Sequence, residues 1–407
     1  MLFFAKGRLL EGYYHAGAAT RLAVGLGLHQ IATPEWGGSP DASPASSRTS
    51  PSDGGDCGSI LPPPADSIEL GERILAFWQV FNLDRCWAVA TGLPVALSDD
   101  NHPRTRVETV WPRALEEYEL VRVARPRPCP RPLPCHTHAR TLQGHVSEAD
   151  YGTVHVLYAQ VTTLPYAGAR DSTNALRAKA TTLFERAARL SSSFGTSAQT
   201  AEQFWADFQT VDAAIARLAA SVPPAREADA PRVDHALFVV HALLHAATIQ
   251  LHSPFALEDP ASRQKSAAIA AQAVSMIHLL DEPEYAFLDP IMGTCWTSVA
   301  EAVVRELIMR RAAGVNVEHH VAVPNQQLDV IVLAMNRLGG TVPLAGASKP
   351  RSRSLLRAHA PLPRSISGEQ SRAVAGNVIL MQVSLFSPYV YCFLAAATTC
   401  HDLNIYT

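Results

Sequence analysis

The sequence has no large excess of charge of either sign, which argues against a chain that binds nucleic acid through its own surface. Its 34 Lys and Arg residues are balanced by 37 Asp and Glu residues, which gives a formal net charge of −3 at pH 7. A DNA-reading module normally carries a basic face and a reading motif, and the sequence has neither. We therefore expect no sequence-specific DNA binding by this chain alone.

Cysteines are few, and long apolar runs are lacking. The seven cysteines form an odd set without a Cys-x-x-Cys pair, whereas small secreted domains carry dense, even sets. The N-terminal apolar run breaks at Lys6, and the run from Leu385 to Ala397 is interrupted by Ser387-Pro388. We therefore expect a reducing compartment, no signal peptide and no membrane segment.

Alternation of apolar and polar residues, the pattern of a half-buried strand, is lacking between the turn signals. Apolar residues recur instead every three or four positions, which is the helical period. With 47% hydrophobic residues, the pattern predicts an all-α, multi-helix protein, orthogonal or bundle-like, with long disordered loops. The predicted helices cover residues 7–32, 68–90, 153–164, 174–193, 203–221, 234–251, 262–280, 289–311 and 324–338.

Three segments do not fit the helical pattern. Residues 34–66, rich in Pro, Ser, Gly and Asp, are predicted to be a disordered loop. Residues 121–145 are a Pro/Arg-rich insertion, and residues 347–407 are predicted to be a basic linker with an irregular tail. We hypothesise that 121–145 and 383–407 are translated introns; finding the 121–145 codons in spliced mRNA would contradict this.

Complete catalytic motifs are lacking as well. The sequence contains no Gly-x-Ser-x-Gly and no glycine loop ahead of Lys-Ser/Thr. Ser262 and Lys265 form a Ser-x-x-Lys without its partner motifs, so we interpret them as a helix start. Gly25 and Gly27 lie inside a predicted helix, where a close helix crossing is a better interpretation than a phosphate-binding turn. We predict that the chain is not an enzyme.

Two groups of metal-ligand residue types are present, and we interpret neither as a metal site. Stiffening prolines surround the group that contains cysteines. The group that contains only histidines lacks the Glu that a zincin places beside its first His. Histidines of a packed helix are the simplest interpretation of the second group, with a metal site or proton switch as the alternative. The groups are Cys129, Cys135, His136 and His138, and His241, His245 and His252.

The clearest helix, residues 68–90, carries an apolar stripe that includes Trp78 and ends at Gly92-Leu93-Pro94. It also contains Asp84-Arg85 in an apolar environment, where an unpaired charge would be costly. We predict that these residues form a structural ion pair or a cap for a neighbouring helix. A ligand-sensing role is the alternative.

Three motifs of the chain belong together. The first lies in 11–29, the second is the Trp-containing helix that ends in Asp-Arg and is followed by Gly-x-Pro, and the third lies in 242–252. Their defining residues are Arg21, Gly25, Gly27, His29, Trp78, Asp84, Arg85, Gly92, Pro94, His245 and His252. With these motifs the chain resembles the fungal-specific transcription factor domain, the middle homology region of fungal Zn2Cys6 zinc-cluster transcription factors.

The resemblance implies a nuclear regulatory domain over residues 1–346 that modulates transcription by RNA polymerase II without catalysis. It implies zinc only in a cluster missing from this chain, and DNA as a partner only through that cluster. Homodimerisation and transcriptional co-regulators are the other partners it implies. The alternative is a helical enzyme or small-molecule-binding protein with a pocket near Asp84/Arg85 and His241/His245.

Overall fold

The computed structural model describes residues 8–31, 61–97, 105–123, 153–158, 171–195, 200–227, 230–312 and 317–341. Within these ranges the chain is helical and contains no strand, which confirms the prediction of an all-α protein. Most of the predicted loop 34–66, most of the insertion 121–145, and all of 347–407 lie outside the described residues.

Ten α-helices and two 3₁₀ turns make up the regular structure of these ranges. The 3₁₀ turns are Leu28–Gln30 and Glu282–Phe287. The α-helices are α1 (Leu9–Gly25), α2 (Ser67–Thr91), α3 (Leu115–Val123), α4 (Thr153–Val156), α5 (Thr173–Ser193), α6 (Ala201–Ser221), α7 (His235–His252), α8 (Pro260–Ile277), α9 (Met292–Ala312) and α10 (Val317–Thr341).

The helix predicted over 7–32 is wrong at its C-terminal end. Helix α1 ends at Gly25, and Gly27 has a φ of 73°, in the left-handed region that favours glycine. The chain continues as the 3₁₀ turn Leu28–Gln30. The helical period of the side chains runs on past this point, so the glycine and not the apolar pattern decides where the helix stops.

The described residues divide into two compact units. The N-terminal unit consists of residues 15–84 and 95–179, and the C-terminal unit of residues 1–14, 85–94 and 180–407, as far as each is described. The unit boundaries fall inside α1, α2 and α5. A single regulatory domain over 1–346 stays a prediction.

The core of the N-terminal unit is built around Trp78 of α2. Its ring stacks on Trp111 with centroids 4.6 Å apart and meets Phe81 edge to face at 5.0 Å. Its indole N–H donates to the carbonyl of Val110 at 2.8 Å, so the one polar atom of this buried side chain is satisfied. Leu70, Ile74 and Phe77 complete the α2 stripe in the same cluster.

Helix α7 is the central element of the C-terminal unit. It is buried on nearly all sides and packs against α6, α8 and α9, while α10 packs on α9. A helix that is apolar all round is expected to be covered all round by neighbouring helices. The sequence marks where it starts, because the Asp234 carboxylate caps the amides of Ala236 and Leu237.

Candidate functional site

Asp84, near the end of α2, holds the chain that follows the helix. Gly92 has a φ of 70°, which lets the chain turn back after Thr91. The Asp84 carboxylate then accepts hydrogen bonds from the backbone amides of Ala96 at 2.9 Å and Leu97 at 3.0 Å. The buried Asp84 carboxylate thus anchors the loop that contains the exposed residues Gly92 and Pro94.

Arg85 forms a buried ion pair in the C-terminal unit. Its guanidinium, which is 0% exposed, donates to the Glu185 carboxylate of α5 at 2.7 Å. Glu185 also accepts from Arg189 at 2.8 Å. Sequence reasoning predicted an ion pair or cap for Asp84-Arg85 but could not find Glu185, since the two partners are 100 residues apart in sequence.

The turn after α1 is fixed by backbone hydrogen bonds. The His29 carbonyl accepts from the amides of Glu108 and Thr109, and the Thr109 hydroxyl donates to the Leu28 carbonyl at 2.6 Å. His29 is buried, whereas Arg21 is exposed on α1. Apart from its chain neighbours and the backbone of α1 itself, no described atom lies within 4 Å of the position a Cβ would take at Gly25. The described residues therefore give no close helix crossing at Gly25, contrary to our interpretation.

A cavity of about 440 Å³ adjoins this turn in the N-terminal unit. Its wall is mostly apolar, with one guanidinium and one side-chain amide, which is the usual character of a small-molecule pocket. Arg73 lies in this wall and donates to the Pro62 carbonyl and the Glu69 carboxylate. Other lining residues are Leu26, Gly27, Leu28, Gln30, Ile31 and Leu70.

His241 and His245 do not form a comparable pocket. The Nε2–H of His241 donates to the Pro223 carbonyl at 2.8 Å. The Nδ1 atom of His245 is buried, and burial together with nearby His241 lowers its pKa from 6.5 to about 4. The cavity beside His245 measures about 10 Å³, room for one water molecule at most. The predicted pocket at these histidines is therefore too small for an organic ligand.

His252 belongs to a polar chain that the sequence did not reveal. Its two ring nitrogens lie 2.9 Å from the Ser262 hydroxyl and 3.2 Å from the Asp212 carboxylate, which also accepts from Lys265. Burial favours a higher pKa for Asp212, but the hydrogen bonds from His252 and Lys265 outweigh it and hold that pKa below its usual value.

The hydrogen-bonded side chains of Ser262, His252 and Asp212 have the order hydroxyl, imidazole, carboxylate, as in a serine hydrolase. The surroundings of Ser262, however, are those of a helix start. Ser262 is 5% exposed and lies in the first turn of α8, where its amide donates to the N-cap Asp259 at 2.9 Å. A nucleophile needs an open path to substrate. The interpretation of Ser262 and Lys265 as a helix start is confirmed.

The described residues contain no group of three or more His, Cys, Asp or Glu side chains that could hold a metal ion. Cys129, Cys135, His136 and His138 lie outside those residues. Among the described helices, none is both long and apolar enough to cross a membrane.

Fold and site together define an all-helical protein whose motif residues anchor loops and pair charges. Residues 1–102, about a quarter of the chain, match the family model described as the fungal specific transcription factor domain. The predicted resemblance is confirmed over this stretch, which includes Arg21, Trp78 and the Asp84/Gly92/Pro94 anchor. No curated protein and no solved structure matches the chain.

Proposed function

We propose that this chain is the regulatory domain of a fungal zinc-cluster-type transcription factor, acting in the nucleus on transcription by RNA polymerase II and without catalysis. The observation that carries the proposal is the family match over residues 1–102. The structure supports it by giving Gly27, Trp78 and Asp84, all within that stretch, defined structural roles. The third motif, around His245 and His252, extends the proposal beyond the matched residues.

In this proposal zinc and DNA are bound by a separate zinc-cluster module. Such modules read short half-sites as dimers, so a homodimer and transcriptional co-regulators are the partners we propose for the regulatory chain. The sequence immediately upstream in the genome provides an inexpensive test. Cys-x-x-Cys spacings followed by a basic linker there would support the proposal. A promoter with a clean start would favour the alternative, a helical enzyme or small-molecule-binding protein.

A reporter assay tests the regulatory function directly. The full chain is fused to an unrelated DNA-binding domain in a fungal host that carries the matching reporter. We expect expression to rise or fall reproducibly relative to the DNA-binding domain fused to an inert helical protein of similar size. Equal expression from the two fusions, at equal protein levels and with both in the nucleus, would contradict the proposal.

The cavity of about 440 Å³ beside Gly27 favours a second candidate function, binding of a small organic molecule. Its volume lies within the roughly 300–1,000 Å³ of ordinary ligand pockets. Leu28→Trp would place a larger ring in the wall of the cavity and obstruct part of it, and Leu22→Trp, at a side chain 63% exposed on α1, is the matched control. A compound that raises the melting temperature of the control but not of Leu28→Trp binds in the cavity; one that stabilises both binds elsewhere.

A further inference from the structure

Five aromatic rings of the C-terminal unit form one connected surface cluster, which we call the aromatic patch. It consists of Phe194, Phe204, Trp205, Phe208 and Phe255. Phe255 is the hub, with ring centroids 4.7 Å from Phe194, 4.9 Å from Trp205 and 5.5 Å from Phe208. Phe194 is 46% and Trp205 44% exposed, and neighbouring Leu257 is 38% exposed.

The patch has the character of a binding surface. Isolated apolar side chains at a surface are ordinary, but a contiguous group of half-exposed aromatic rings marks an interaction site. Rigid aromatic side chains also contribute most of the binding energy at many interfaces. Phe204 and Phe255 are buried beneath the outer rings, so the patch is pre-formed.

The two segments that carry four of the five rings of the patch are acidic. Helix α6 and the turn 253–259 hold five carboxylates and one basic side chain, Arg217. Arg186 and Lys265 pair with two of the carboxylates, Asp207 and Asp212. The remaining carboxylates, Glu202, Glu258 and Asp259, leave these two segments with an acidic surplus. A second copy of this surface and an anionic membrane would both be repelled by it.

We propose that the aromatic patch binds residues 349–364 of the same chain. This segment carries Lys349, Arg351, Arg353, Arg357 and Arg364 and no acidic residue, and it contains the apolar pair Leu355-Leu356. Guanidinium groups stack favourably on Trp and Phe faces. Its basic residues are separated by Pro, Ser and apolar residues, so the segment can present both cations and apolar side chains to an acidic, aromatic surface.

The segment is tethered to the same unit as the patch. Helix α10 ends at Thr341 in the same unit, and an extended chain gains about 3.3 Å per residue, so positions 349 to 364 extend as far as roughly 25 to 75 Å from that point. Covalent linkage gives the segment an effective concentration on the order of millimolar. A weak complementary contact would therefore be well populated without any other partner.

Site-specific photo-cross-linking in the full chain tests this contact. Trp205→p-benzoylphenylalanine places the probe in the patch, and Phe287→p-benzoylphenylalanine places it at a 73% exposed aromatic position elsewhere in the unit. We expect the Trp205 probe, and not the Phe287 probe, to give peptides joined to residues 349–364 in mass spectra. The yield should not depend on protein concentration, because the contact lies within one chain.

A charge-reversed chain makes the test specific. With Arg351→Glu, Arg353→Glu and Arg357→Glu in the Trp205-probe background, we expect the cross-link yield to fall at least roughly tenfold, since attraction to the acidic rim becomes repulsion. Three results would overturn the proposal. They are cross-links to other segments only, cross-links that increase with protein concentration, and a yield that charge reversal leaves unchanged.

Discussion

At the scale of single residues, close packing in the N-terminal unit decides which residue position 71 can hold. Gly71 of α2 faces Tyr118, and a Cβ built at Gly71 would lie 2.6 Å from two carbons of that ring. Tyr118 cannot easily move away, because its hydroxyl accepts from the Arg113 amide and its carbonyl from the Ser67 hydroxyl. Helix α2 and the segment of Tyr118 therefore require glycine at position 71.

We expect Gly71→Ala to lower the free energy of unfolding by about 1–3 kcal/mol, the usual cost of overpacking a core. Gly17→Ala is the matched control, because nothing described lies within 4 Å of its Cβ position and Ala is the better helix former by up to about 1 kcal/mol. Urea denaturation followed by circular dichroism measures both. Equal effects of the two substitutions would show that the contact with Tyr118 is not decisive.

The buried pair Arg85–Glu185 leads to a second prediction. Arg85→Met leaves the Glu185 carboxylate buried with only the half-exposed Arg189 as a partner, and we expect a loss of about 3–5 kcal/mol. Replacing both partners, Arg85→Met with Glu185→Leu, should recover most of that loss, because no buried charge is then left unpaired. Urea denaturation midpoints of the native sequence, Arg85→Met and the double variant measure these differences in stability. If the double variant is less stable than Arg85→Met, the charge on Glu185 is not the cause.

At the scale of secondary-structure elements, α7 and α9 each carry a titratable group with a strongly shifted pKa. Burial raises the pKa of Glu301 on α9 to about 7, although Arg305 one turn away acts against this. Burial lowers the pKa of His245 on α7 to about 4. The two groups therefore affect stability in opposite directions over nearly the same pH range.

Glu301 favours the folded state when it is protonated. Its stabilising contribution is complete below its unfolded pKa of 4.5 and is lost as the pH rises to about 7. We expect Glu301→Gln to remove this loss, so that its stability relative to the native sequence increases by up to roughly 3 kcal/mol between pH 4.5 and 7. Thermal or urea unfolding of both proteins across this pH range measures the difference in their free energies of unfolding. A difference that does not change with pH would contradict the shifted pKa of Glu301.

His245 favours the folded state when it is neutral. Its contribution is complete above its unfolded pKa of 6.5 and is lost as the pH falls to about 4. We expect His245→Gln to become more stable relative to the native sequence as the pH falls through this range. His278→Gln, at an exposed histidine that follows α8, is the control. A similar pH profile for both variants would show that His245 is not the responsible group.

At the scale of the whole molecule, the balance of charge leads to a prediction about DNA. The formal net charge of −3 and the lack of a reading motif predict no sequence-specific DNA binding by this chain alone. Gel-shift titrations at several salt concentrations with a pool of random duplexes measure this. Enrichment of one sequence, with binding that survives raised salt, would contradict the prediction.

The sequence was most informative where the signal is local and periodic. Helical periodicity placed α2, α5, α6, α7, α8 and α9 within a few residues of their observed bounds, and the Gly92/Pro94 stop was read correctly. The predicted helix at α1 is too long, because the left-handed conformation of Gly27 ends the helix while the apolar pattern continues. Helical periodicity also missed α3, since none of the predicted helices covers Leu115–Val123.

The sequence by itself determined the helical class, the helix caps and the family motifs, because period, capping residues and glycine positions act over a few neighbouring residues. The hydrogen-bond and ion-pair partners of the buried side chains were decided only by the tertiary structure. Glu185 for Arg85, Asp212 for His252 and the amides of Ala96 and Leu97 for Asp84 were all assigned by it. The rings of the aromatic patch come from separate segments, so only packing brings them together.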